Sequence, residues 1–286
     1  MKVRTFELVN EKGEVFSLMD IKEGCIFKEP SNLGYGYTSE FQRVGNTYIE
    51  TLRTLNQSTI PGKMEFKNYD NYRKFIDFIE ASESLKWKCI IPYSSGSKTY
   101  FKDIVFEEIE KNDLFTEDDK LITTVNFNCL SLWYEENTFV HDMKQQKGVI
   151  SWNFRWNSRF ADFSTRSLKY INNGHVEAPI LVEIEGPVVN PRIQLYVEGQ
   201  FYQELPFIVS LEKYEKLLYG TKEGEFHLNR QKSDGTLENL FSLKVLDPQN
   251  NEVIRLPKNK SCELKLVADN DILNAKVTIF AYYKAI

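Results

Sequence analysis

The sequence predicts a mainly β protein of two domains. Aromatic residues make up 14% of its 286 residues, and aromatic and β-branched side chains suit the half-buried surface of a sheet. Domains usually hold about 100–200 residues, so a chain of this length is expected to form two. With 42% hydrophobic and 27% charged residues, the composition is that of a folded globular chain.

The first domain opens with a predicted hairpin and contains one predicted helix. Residues 6–9 and 15–16 flank a turn at Lys12-Gly13, which is typical of two short paired strands. Over residues 69–83, apolar side chains recur at i, i+3, i+4 and i+7, and Asn68 or Asp70 can cap the first turn. The helix is therefore expected to bury one face against a sheet.

Three further strands are expected in this domain, over residues 85–91, 100–109 and 121–133, because each alternates apolar and polar residues. The acidic segment 111–120 between the last two is interpreted as a solvated hairpin tip. Residues 29–46 contain Gly34, Gly36 and Gly45 and are interpreted as an irregular loop, either plain surface or an interface arm.

A domain boundary is predicted at residue 148. Residues 135–148 are polar, lose the strand period and end in glycine. From about Val149, short apolar runs alternate with turn signals, which predicts a β-sandwich over residues 149–286. The first domain, residues 1–148, is then a β-rich domain with one helix.

Charge and cysteine content narrow the classes of function. The net charge is −5, and residues 1–150 carry all of it, with 19 basic and 24 acidic side chains. A DNA-binding role is disfavoured because binding to the phosphate backbone needs clustered positive charge. The four cysteines are far apart among apolar neighbours, so they are interpreted as buried thiols of a protein made in a reducing cytosol. No run approaches the ~18 apolar residues of a membrane span, and no export signal is recognised.

No motif for catalysis, a metal or a cofactor is recognised. Each of the three histidines stands alone, without the paired spacing of a metal site. Glu183 and Glu185, with Glu198, are the best carboxylates for a glycosidase, since side chains at i and i+2 of one strand share a face. The same Val-Glu-Ile-Glu alternation is typical of any half-exposed strand, so the prediction is a protein that is not an enzyme.

One aromatic stripe is a candidate carbohydrate site. Trp152, Phe154 and Trp156 share a strand face at i, i+2 and i+4. Such a stripe can stack sugar rings, but core packing is the favoured interpretation because Asn153 and Arg155 supply an alternating polar face.

Four segments together resemble the distal tail protein family of siphophages. They are Tyr69–Ile79 (YDNYRKFIDFI), Ile90–Tyr93 (IIPY), Asn126–Tyr134 (NFNCLSLWY) and Tyr170–Pro191 (YINNGHVEAPILVEIEGPVVNP). The resemblance spans nearly the whole chain and includes the two-domain layout.

This resemblance implies a structural protein of the virion tail tip, made in the bacterial host cytoplasm. It implies that the N-terminal domain assembles as a homohexameric ring that joins the tail tube protein to the tail-associated lysin or hub, with DNA passing through unbound. It also implies an outward-projecting galectin-like C-terminal sandwich that holds receptor-binding protein or contacts host saccharide. The alternative function is a carbohydrate-binding adhesin that acts through the second domain.

Overall fold

The chain forms two compact units in a computed structural model that describes residues 4–20, 24–110, 120–140, 144–146, 165–241, 253–270 and 274–286. Unit 1 comprises residues 1–135 and 283–286, and unit 2 comprises residues 136–282. The predicted start of the second domain at Val149 lies outside the described residues and stays a prediction. The described residues are mainly β, as the sequence predicts.

The elements that lie in unit 1 or begin there are β1 (Thr5–Asn10), β2 (Val15–Ser17), β3 (Met19–Asp20), β4 (Cys25–Lys28), β5 (Tyr37–Val44), β6 (Thr47–Leu55), β7 (Thr59–Phe66), α1 (Tyr69–Glu80), β8 (Leu85–Tyr93), β9 (Gly96–Glu110), β10 (Leu121–Cys129) and β11 (Trp133–Phe139). Antiparallel pairing runs from β2 through β1, β8, β9, β10, β7 and β4 to β3. Strands β5 and β6 pair with each other in a separate sheet.

The elements of unit 2 are β12 (Lys144–Gln146), β13 (Thr165–Ile171), β14 (Ala178–Glu185), β15 (Val188–Val189), β16 (Arg192–Val197), β17 (Gln200–Pro206), β18 (Ser210–Leu211), β19 (Lys216–Gly220), β20 (His227–Gln231), β21 (Leu237–Asn239), β22 (Arg255–Leu256), β23 (Ser261–Val267) and β24 (Asn274–Tyr283, of which Tyr283 counts with unit 1). One sheet has the order β21-β20-β19-β14-β24 and the other has the order β12-β13-β23-β16-β17. Side chains of both sheets bury one shared apolar cluster, which is the arrangement of a β-sandwich.

Helix α1 is present as predicted, because its stripe faces apolar partners and its cap is satisfied. Phe75 and Ile79 are buried, and the Phe75 ring lies 5.6 Å from that of Phe66 on β7. The Asn68 side chain accepts a hydrogen bond from the backbone N–H of Asn71, which satisfies one of the free donors of the first turn. Within the described residues, no helix is both long and apolar enough to cross a bilayer.

The core of unit 1 is an aromatic cluster around Trp87. The rings of Phe27 and Phe127 each lie 5.1 Å from it, edge-on. Gly62 on β7 borders this cluster so closely that an added Cβ would lie 2.2 Å from the Phe27 ring. The backbone of β7 can approach the ring only because residue 62 has no side chain.

A buried lysine lies at the edge of this core. Lys102 on β9 is 1% exposed, and its ammonium donates to Ser58 Oγ over 2.9 Å and lies 5.1 Å from the centre of the Trp133 ring. It makes no ion pair with a described carboxylate. Burial lowers the pKa of Lys102 below its ordinary value, an effect that the adjacent Cys129 partly opposes.

The four cysteines are buried, as predicted. Burial raises the pKa of the Cys25 and Cys89 thiols to about 12. These two thiols are therefore protonated at neutral pH and act as small apolar side chains.

Three local expectations for the first domain were wrong. The strand predicted over residues 121–133 ends at Cys129, and the separate strand β11 begins at Trp133. Only residues 29–36 of the predicted loop 29–46 are irregular, because Tyr37–Val44 and Thr47–Leu55 pair as a hairpin. The strand period also does not end at residue 135, since β11 continues to Phe139 with alternating burial. The predicted tip at residues 111–120 lies almost wholly outside the described residues.

Candidate functional site

The hairpin β5–β6 is the most exposed regular element of unit 1, and we call residues 37–55 the arm. Nearly every residue of both strands is exposed. The strands are joined by the two-residue loop Gly45-Asn46, with φ of +63° at Gly45, which fits the hairpin turn that takes glycine in first place. Strands of eight and nine residues at about 3.3 Å per residue give the arm a length of roughly 25 Å.

The two faces of the arm differ in chemistry. On the aromatic face, Arg53 stacks over the Tyr37 ring at 4.1 Å, and the Ser39 hydroxyl donates to Glu50. Phe41, Arg43 and Tyr48 share this face, since Arg43 pairs with Tyr48 and Phe41 with Glu50 in the register. The other face carries Val44, Ile49 and Leu52.

The arm exposes more apolar surface than a free hairpin is expected to carry. Tyr48 is 70% exposed and Phe41 61%, although both are large side chains that normally gain from burial. Val44, Ile49 and Leu52 are each about half exposed. Exposed apolar side chains on both faces of one hairpin are typical of an interaction site.

The root of the arm is fixed by the last residues of the chain. Lys284 Nζ donates to the Tyr37 hydroxyl over 2.5 Å and lies 5.2 Å from the centre of its ring. Tyr35 packs edge-on against Tyr37 at 5.6 Å, and the Thr38 hydroxyl donates to Asn56 over 2.8 Å. The arm is thus held where it leaves unit 1 and exposed beyond that point.

A second exposed surface of unit 1 lies on the outer face of β9 and β10. We call Val105, Glu107, Glu108, Glu110 and Leu130 the outer strip. Val105 and Leu130 are 48% and 62% exposed. A bulge opposite Asn126 and Phe127 leaves Glu107 as an extra residue, to which the Asn126 side chain donates. Val105 and Leu130 form the apolar end of the strip, and the three glutamates form its acidic end. None of these three carboxylates forms an ion pair with another described residue.

The residues proposed from sequence for carbohydrate binding, Trp152 and Trp156, lie outside the described residues. The possibility that they bind saccharide stays a prediction, as does their alternative role in core packing.

The carboxylates considered for glycosidase chemistry each have a structural partner. Glu183 accepts from Lys276 Nζ over 2.6 Å, and Glu185 accepts from the Asn274 amide over 3.3 Å. Glu198 accepts from the backbone N–H of Ser261 over 3.0 Å. These contacts tie neighbouring strands of the sandwich together.

Metal chemistry has no candidate within the part of the chain that the structure describes. No group of three or more His, Cys, Asp or Glu side chains is placed there to hold an ion. His227 lies 2.6 Å from the Glu225 carbonyl through Nδ1, and His141 is outside the described ranges.

The fold is shared with solved proteins of phage baseplates. A chain in the structure of the phage P2 baseplate in its activated conformation with calcium is similar over 100% of both chains, with a TM-score of 0.68 and 13% sequence identity. The corresponding strontium structure gives 0.67 and 13%, again over 100% of both chains. The crystal structure of SPP1 Dit, described as a paradigm of hub adsorption apparatus in phages that infect Gram-positive bacteria, gives 0.54 and 12% over 98% of each chain. Comparison with curated proteins gave no match.

The chain thus has the β-rich fold of these phage baseplate proteins. Residues 5–130 match the family model described as the N-terminal domain of the distal tail protein. This part of the chain is therefore similar to the N-terminal domain of distal tail proteins, which are components of the virion tail, and the resemblance seen in the sequence is confirmed.

Proposed function

We propose that this protein is a non-enzymatic connector of the tail tip, in which six copies form a ring. The ring joins the tail tube protein to the tail-associated lysin or hub and to the baseplate. In this proposal, residues 1–148 form the ring, and residues 149–286 form a galectin-like sandwich that faces outward to hold receptor-binding protein or contact host saccharide. The observation that carries the proposal is the exposed arm of unit 1.

The arm supports self-assembly because contact with another copy would bury its exposed apolar side chains. A two-stranded hairpin is at best marginally stable alone in water, and this one exposes large apolar side chains on both faces. Covering them with another copy of the protein removes that surface from water. Because an arm on one copy meets a different patch on the next, the contact is heterologous, and such contacts close into rings when the rotation permits.

The charge distribution is compatible with a channel for DNA. Residues 1–150 carry a net charge of −5, so six copies carry about −30, and a lumen of that sign repels the phosphate backbone. Repulsion keeps DNA from adhering during passage.

The carboxylate contacts support the non-enzymatic part of the proposal. A glycosidase needs one carboxyl held protonated in an apolar environment. Glu183 instead pairs with Lys276, and Glu185 and Glu198 accept hydrogen bonds that hold strands together.

Light scattering after gel filtration tests the ring. Six copies of the 33.5 kDa chain have a mass of about 200 kDa. Phe41→Ser with Tyr48→Ser is expected to reduce this mass to that of the monomer. Tyr214→Ser is the matched control, since Tyr214 is 62% exposed but lies in unit 2. A wild-type protein that stays monomeric at high concentration contradicts the ring.

The alternative, a carbohydrate-binding adhesin, is supported by one row of side chains in unit 2. The Tyr196 ring contacts exposed Phe201 at 5.6 Å and lies under Lys265 Nζ at 4.1 Å. Beside it, the Gln194 amide donates to Glu204 over 2.5 Å. Aromatic faces with neighbouring planar polar groups suit sugar rings. Calorimetry with host cell-wall saccharide, comparing wild type with Tyr196→Ala and Trp152→Ala, tests this function.

A further inference from the structure

We infer that the aromatic face of the arm docks on the outer strip of a second copy of this protein. This inference rests on the proposed ring and specifies its contact. It joins two exposed surfaces of unit 1, each of which combines apolar and charged side chains.

Charge complementarity identifies the second copy as the occupant. The aromatic face carries Arg43 and Arg53 against the single carboxylate of Glu50, which already accepts from Ser39. The face is therefore net positive. The outer strip carries three carboxylates that pair with no described cation, and opposite charges across an interface set its register and partner.

The apolar groups match as well. Phe41 and Tyr48 supply large exposed rings on the arm. Val105 and Leu130 supply exposed aliphatic surface at one end of the strip, on the same side as Glu108, because Val105 and Glu108 pair with alternate residues of β10. A docked arm thus places aromatic rings on aliphatic groups and guanidinium groups on carboxylates, the usual composition of an interface core and its rim.

The root of the arm makes this contact directional. Lys284, from the end of the chain, holds Tyr37 at the root of the arm, so the arm leaves each copy at a fixed point. The arm and the strip are different patches of one protomer, and repetition of the contact generates a ring rather than a closed pair.

Charge reversal tests the contact. The acidic-arm variant carries Arg43→Glu and Arg53→Glu, and the basic-strip variant carries Glu108→Lys and Glu110→Lys. Each variant alone is expected to lose the high-mass species, with an apparent dissociation constant weakened about tenfold or more. An equimolar mixture is expected to recover it, because the reversed arm of the first variant meets the reversed strip of the second, and the two unchanged surfaces meet each other.

Controls separate this inference from the ring itself. Arg73→Glu reverses an exposed charge on α1 and is expected to leave the mass unchanged, and thermal unfolding of each variant as a monomer checks its fold. If wild type assembles and both charge-reversal variants assemble equally well alone, or if their mixture recovers nothing, the arm–strip contact is wrong and the ring stands. If wild type never assembles, both are wrong.

Discussion

The packing of Gly62 against Phe27 makes a sharp prediction for the core of unit 1. In Gly62→Ala the new Cβ would lie 2.2 and 2.4 Å from two carbons of the Phe27 ring. Phe27 is 2% exposed and is held by Trp87, so the ring has no free space to move into. Overpacking of this kind costs about 1–3 kcal/mol.

The expected net effect follows from two opposing contributions. Replacing glycine with alanine also stabilises by about 0.4–1 kcal/mol through the unfolded chain, where the backbone conformation permits it, and Gly62 has no positive φ. The net loss is then about 1–2 kcal/mol, which lowers Tm by roughly 2–4 °C in a protein of this size.

Calorimetry or circular dichroism measures this shift, and two variants control it. Gly34→Ala places its Cβ in open space, without a positive φ, and is expected to leave Tm unchanged or slightly raised. Phe27→Leu removes the ring that clashes, so the double variant with Gly62→Ala is expected to lose less than the sum of the single losses, by about 1 kcal/mol. Equal Tm values for Gly62→Ala and Gly34→Ala would refute this account of the packing.

Three further predictions follow from the caps, the buried cation and the thiols. Asn68→Ala removes the cap of α1 and is expected to destabilise by about 1 kcal/mol in urea unfolding, whereas an unchanged midpoint would show that the cap contributes nothing. Lys102→Met is expected to stabilise the protein by about 1 kcal/mol or more at pH 7. Burial lowers the folded-state pKa of Lys102, so the unfolded chain binds more protons than the folded chain at pH values between that pKa and the ordinary value near 10.4. The stability of the wild type therefore rises with pH in this range, and the advantage of the Met variant shrinks. An advantage that is constant up to pH 10 contradicts this. Cys25 and Cys89, with pKa raised to about 12, are expected to resist Ellman's reagent at pH 8 until denaturant is added, and rapid labelling of native protein would show that they are accessible.

Elements with one buried face could be predicted from the sequence. Helix α1 was recognisable because Phe75 and Ile79 repeat at the helical period and Asn68 caps its start. Strand β9 was recognisable because residues 99–104 alternate between half-buried and buried where the strand pairs with β8. In each case the element packs against apolar residues of unit 1 itself, and the spacing of its own apolar residues in the sequence indicates the buried face.

Long-range contacts could not be predicted in this way. Lys284 is 247 residues from Tyr37, yet it holds the root of the arm, and nothing in the local sequence of either residue indicates the pair. The division of the chain into two units could not be predicted fully either. Residues 283–286 belong to unit 1, and no sequence motif indicates this.

The arm escaped prediction for a reason that bears on its function. A strand with one buried face alternates apolar and polar residues, but β6 places Tyr48 on one face and Ile49 and Leu52 on the other. A ribbon that folds only against its own protomer gains little from apolar groups on both sides. A ribbon enclosed by other copies gains from each of them, so the missing alternation is the pattern expected of a strand pair whose core lies between molecules.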